Sequence, residues 1–92
     1  MINNSSVIQQ NTERFLANHL SGEMVFMNLD NGSYLGLNAI GTAIWNFTEQ
    51  PVSVEEIVSK LMEQYHVDQE TCEQQTIDLL VQMQNEQMII VS

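Results

Sequence analysis

Three observations predict an α+β domain in which an apolar β-hairpin leads into three helices. Two strand-like apolar runs flank Asp30-Asn31-Gly32. Helix-capping residues then recur at Asn38, Ser53 and Asp68, each ahead of apolar residues at helical spacing. Finally, 92 residues of which 43% are hydrophobic supply one small core and not two. A single domain over residues 1–92 is expected, with residues 1–5 loose.

Ser6-Val7-Ile8-Gln9-Gln10 reads as a short edge strand, and residues 11–22 are mixed, with Phe15, Leu16 and Leu20 as anchors. Residues 24–29 and 33–37 form the hairpin. With Asn31-Gly32 as the two central residues of a type I′ turn, Leu29 pairs with Tyr34, Met27 with Gly36 and Phe26 with Leu37. One face then carries Val25, Met27, Leu29 and Tyr34, and the other Met24, Phe26, Leu35 and Leu37. Both are apolar. Helices can cover one, so the second needs another part of the chain or a partner.

Asn38 caps a segment with Ile40, Ala43, Ile44 and Phe47 at helical spacing and Trp45 beside them, and Glu49-Gln50-Pro51 ends it. Ser53 and Glu56 form a capping box, with Val52 and Ile57 as its hydrophobic staple. That second helix buries Ile57, Leu61 and Tyr65, widened by Val58 and Met62. Asp68 caps a third helix running to about Gln84, on which Cys72, Thr76, Leu79 and Met83 fall within about 60° and Leu80 borders them. Ile77, Val81 and Gln84 lie further round, on a flank that is either buried more widely or lines a groove. Met88-Ile89-Ile90-Val91 reads as a terminal strand or an extended segment on the core.

Charge narrows the function. Twelve acidic residues against Arg14 and Lys60 give a net charge of −10, which would repel nucleic acid and anionic membranes. The longest apolar runs fall far short of the roughly 20 residues that span a bilayer. Residues 1–6 lack the basic and apolar regions of a secretory signal. A single cysteine excludes an internal disulfide and a CxxC motif. A soluble, cytoplasmic protein is expected.

Catalytic chemistry is thinly supplied. Cys72 lies between Glu70 and Glu73 and reads as a small core residue. His19, in a polar loop, and His66, in a turn, have no second ligand at metal spacing. Glu55 and Glu56 point about 100° apart and share no site. No phosphate-cradling glycine loop, P-loop or HExxH is present. Neither an enzyme, a metal nor a cofactor is expected.

From Glu23 to Val91 the chain resembles the pyrroloquinoline-quinone biosynthesis protein D family, the RiPP recognition elements. The resemblance is carried by Val25-Phe26-Met27-Asn28-Leu29-Asp30-Asn31-Gly32, Tyr34-Leu35-Gly36-Leu37-Asn38, Gly41, Ile44-Trp45 and Val52-Ser53-Val54-Glu55-Glu56-Ile57. Tyr65, Leu79-Leu80, Met83 and Met88-Ile89-Ile90 complete it, and Tyr34-Leu35-Gly36-Leu37-Asn38 with Trp45 is most similar to the stand-alone elements of lasso-peptide clusters. One departure stands out: the family often has glycine before the final apolar residues, where this chain has Glu86-Gln87.

The resemblance implies a winged-helix-like fold, an N-terminal three-stranded antiparallel sheet followed by three helices. It further implies a leader peptide docked as an added strand on the third sheet strand, beside the third helix. The expected peptide-binding residues are Ser33, Tyr34, Leu35, Gly36 and Leu37, with Ile77, Asp78, Leu80, Val81 and Gln84 across the cleft. Its implied partners are a precursor peptide, a leader peptidase and an ATP-dependent cyclase. The alternative is a winged-helix transcriptional regulator or another protein-interaction domain. As a DNA reader it would use the third helix, which has no Lys or Arg and carries Asp68, Glu70, Glu73 and Asp78.

Overall fold

The computed structural model describes residues 2–13, 15–21 and 23–92. Arg14 therefore lies outside the described residues. Strands β1 (Val7–Gln10), β2 (Phe15–Leu20), β3 (Glu23–Asn28) and β4 (Tyr34–Leu37) precede helix α1 (Ala39–Phe47). Strand β5 (Val52–Ser53), helices α2 (Val54–Gln64) and α3 (Gln69–Asn85) and strand β6 (Ile89–Val91) follow. The α+β class and the N-terminal antiparallel sheet β2-β3-β4 followed by three helices are as expected. A second antiparallel sheet, ordered β5-β1-β6, was not.

Strand β1 is the centre of that second sheet, not an edge: Ile8 pairs with Val52 on one side and Val91 on the other. His19 lies in β2 and not in a loop. Leu20 pairs with Glu23 where β2 meets β3, and Ser21 between them has φ 53°.

The β3–β4 hairpin is two residues out of the expected register. Met27 pairs with Tyr34, Phe26 with Leu35, Val25 with Gly36 and Met24 with Leu37. Its loop holds four residues, because the Asn28 N–H donates to the Ser33 carbonyl at 2.8 Å and the Gly32 N–H to the Asn28 carbonyl at 2.8 Å. The Asn28 side chain, itself buried, accepts from the Asp30 N–H at 2.8 Å and holds the longer loop. Only Gly32 in this loop takes a positive φ, 73°. A shift of two leaves each side chain on its expected face.

Met24, Phe26 and Leu37 face inward against α1, where Trp45 meets Phe26 edge-to-face at 4.8 Å. The three caps form as read. Asn38 accepts from the Gly41 N–H at 2.9 Å, Ser53 from Glu56 at 3.1 Å and Asp68 from Thr71 at 3.2 Å. Val52 and Ile57 are both buried, as a staple requires.

Helix α3 ends in a Schellman motif. The Met88 N–H donates to the Met83 carbonyl at 2.9 Å and Gln87 to Gln84 at 3.0 Å, with Gln87 at φ 62°. The position where the family often has glycine is thus left-handed here and filled by glutamine. Along α3 the buried residues are Cys72, Thr76, Leu80 and Met83, while Leu79 is half-buried. The core stripe is rotated toward Leu80 relative to expectation because α3 also packs on β6.

Candidate functional site

Strand β4 is an edge strand, bonded to β3 alone. In an antiparallel ladder, residues alternate between bonding toward the partner and pointing away from it. Asn28 bonds to Ser33, so Ser33, Leu35 and Leu37 face β3, and the N–H and C=O groups of Tyr34 and Gly36 face outward. Four backbone groups on one short edge are therefore open to another strand.

Helix α3 forms the far wall. The Ser33 hydroxyl approaches the Glu86 carboxylate at 3.5 Å at one end. At the other, a Cβ on Gly41 would lie 3.3 Å from Leu37 and 3.4 Å from Leu79, so α1 is pressed between the two. The wall facing β4 is thus the stripe through Leu79 and Glu86. At about 100° per residue these two are about 20° apart, with Gln75 and Gln82 within about 60° of Leu79.

The expected cleft residues of α3 fall elsewhere on the helix. Ile77, Val81 and Gln84 lie about 140–160° from Leu79, on the opposite shoulder of α3. Gln84 there lines a hollow with Asn3, Val91 and Ser92, and Glu73 on the same shoulder meets the Asn4 amide at 3.5 Å. Leu80 is 0% exposed and belongs to the core. Asp78 is exposed and accepts from Gln74 at 2.9 Å, at the outer lip of the wall. Of the β4 residues, Leu37 is buried and Leu35 half-buried on the inner face, while Tyr34 is 72% exposed on the outer face, away from α3.

A mostly apolar pocket of about 200 Å³ shares Gln75 and Leu79 with this wall of α3. Ile40 and Ile44 of α1, Leu61 and Tyr65 at the end of α2, and Thr76 and Leu79 of α3 line it. A dry cavity of about 150 Å³ accepts a benzene ring, so this one has room for a single large apolar side chain. Sequence reasoning missed it, although Ile40, exposed at 37% at the start of α1, was a signal. Cys72 also lines it and is buried. Among the described residues no three His, Cys, Asp or Glu come together as a metal site, and no helix is long and apolar enough to cross a membrane.

Fold and cleft together define a small two-sheet α+β domain in which the open edge of β4 faces a helical wall that also lines a pocket. Residues 23–89 match the family described as coenzyme PQQ synthesis protein D (PqqD), and the chain belongs to that family. Among solved structures it is similar to TbiB1 in complex with the TbiA(beta) leader peptide, at 31% identity and a TM-score of 0.76 over 88% of this chain and 93% of that one. A lasso peptide synthetase B1 complexed with its leader peptide shares the fold at 17% identity and a TM-score of 0.77, over 90% of this chain and 96% of the other. No curated protein matches the chain.

Proposed function

We propose that this protein binds the leader segment of a ribosomally synthesised precursor peptide as an added strand on β4. It thereby holds the precursor for the leader peptidase and the ATP-dependent cyclase of a RiPP pathway, of the lasso-peptide kind. The observation that carries this reading is the open edge of β4 beside a wall of α3 that also lines an apolar pocket. Two similar proteins solved with leader peptides support it.

The physics is strand addition. Backbone pairing at Tyr34 and Gly36 supplies affinity with little sequence preference, and the pocket beside Leu79 supplies discrimination. An edge left bare invites unwanted pairing, which an incoming peptide removes. The chain's part is to bind and orient; peptide chemistry belongs to its partners, and no metal or cofactor enters. In this reading β3–β4 stands beside α3 as wing to helix, the winged-helix-like arrangement, with a peptide strand between them.

The test is a calorimetric titration of the cognate leader against a scrambled control, with amide exchange on the complex. Saturable binding with slowed exchange at Tyr34 and Gly36 is expected. Binding that leaves those two amides unprotected would refute the edge. A retained shift of random duplex DNA at low salt would restore the regulator instead.

A further inference from the structure

The side of the β2-β3-β4 sheet turned away from α1 carries an apolar surface. The registers align Leu16, Met27 and Tyr34 in one row, Asn18, Val25 and Gly36 in the next, and Leu20 with Glu23 in the third. Leu16, Leu20 and Tyr34 are 54%, 60% and 72% exposed, and Val25 and Met27 lie half-buried between them. A solvated sheet face is ordinarily polar, and a contiguous apolar one marks an interaction surface.

We propose that this outer face docks the enzyme that works on the bound precursor, a protein offering an apolar surface edged with Lys or Arg. The inference rests on the leader-binding reading above. Its first support is continuity with that edge. Alternate side chains of a strand point to opposite faces, so half of those on an added strand enter the cleft and half stand beside Tyr34. Strands lie about 4.8 Å apart, so a fourth widens the face from about 10 to about 14 Å between its outermost strands. An enzyme seated there touches domain and leader together.

The second support is charge. Two copies of a chain of net charge −10 repel each other, which disfavours a second copy as the occupant. Glu13 stands near one end of the face and Glu23 at the other, both exposed. Lys60 is on the helical side, 5.2 Å from the Phe47 ring, and even with Arg14 next to Glu13 in sequence the field is strongly negative. A basic rim is drawn to it, faster at low salt.

The experiment uses Leu16→Arg with Leu20→Arg, on the strand furthest from the leader edge. Ile90→Arg serves as the control, since Ile90 is also 54% exposed but lies in the other sheet. Circular dichroism verifies folding. Labelled leader is titrated by anisotropy, and the purified leader peptidase and cyclase are each titrated with and without leader. Leader affinity should stay within about twofold, because exposed substitutions away from a contact have small effects. One of the enzymes should bind the double variant at least about tenfold more weakly, as expected when an interface centre is lost. Ile90→Arg should bind both enzymes like the wild type.

If neither enzyme loses affinity for the double variant, or Ile90→Arg loses as much, the inference is overturned. It is equally overturned if the wild type alone sediments as a dimer that the double variant dissociates, which would give the face to a second copy. The leader-free titrations decide the inference even if the leader fails to bind, a result that would count against the earlier reading alone.

Discussion

Replacing Gly36 with proline removes one N–H from the open edge of β4 and none from the sheet. Gly36 pairs with Val25 in the non-bonded position, so its amide points away from β3. Proline is tolerated on edge strands in that orientation, and Leu35 before it is already extended. Stability should therefore change by no more than about 1 kcal/mol, within the range of surface substitutions. An incoming strand, in contrast, loses one hydrogen bond worth about 0.5–1.5 kcal/mol and is left with an unsatisfied carbonyl costing about 1–3 kcal/mol. A total of about 2–4 kcal/mol is a loss of about 30- to 1000-fold in leader affinity. Gly36→Ala is the matched control: it keeps the N–H, and a Cβ there meets nothing within 4 Å. Anisotropy titration of labelled leader, with thermal melts of both variants, decides the matter. A folded Gly36→Pro protein that binds like the wild type would refute strand addition at β4.

Three further outcomes are expected. Leu79→Glu, which puts a carboxylate at the cleft and pocket, should weaken leader binding at least about tenfold by burying an unpaired charge, whereas Val81→Glu on the far shoulder should stay within about threefold; the same titration with circular dichroism distinguishes them. Trp45→Ala should cost about 3–5 kcal/mol by urea denaturation, since Trp45 is buried against Phe26. Gln87→Gly should raise stability by about 1 kcal/mol in the same assay, because glycine takes the left-handed conformation at φ 62° without the clash a Cβ brings.

The elements that depend on a few neighbouring residues were legible in the sequence. Asn38, Ser53 and Asp68 each bond to an amide three residues on, so helix starts were written locally. The hairpin was legible but its register was not. Asn31-Gly32 reads as a two-residue turn, while the Asn28 side chain accepts from the Asp30 N–H and favours a four-residue loop. Of the second sheet, β1 and β6 were legible as strands, but their pairing with each other and with β5 was not. Val7-Ile8-Gln9-Gln10 is half polar, β5 has two residues, and their partners are far away in sequence. Residues 88–91 read as a terminal strand, but its pairing with β1 beside α3 is not written locally. Without that pairing the shoulder bearing Ile77, Val81 and Gln84 reads as a candidate groove wall, whereas the structure sets Leu79 and Glu86 nearer β4.

The two ends of the cleft differ in construction. At the pocket end, Gly41 is wedged between Leu37 and Leu79 with no room for even a methyl group to enter unopposed. At the other, Ser33 and Glu86 meet through a long 3.5 Å side-chain contact in solvent, which water replaces at small cost. If the leader pairs on β4 as proposed, the walls would act as a clip, tight at Leu37 and Leu79 and easier to spread at Ser33 and Glu86. A peptide would then pair first at the looser end and zip toward the tight one. Arrival would be governed by groups near Ser33 and Glu86, and residence time by the side chain seated beside Leu79. Leaders that differ only in that side chain would reach the domain equally fast and stay for different lengths of time.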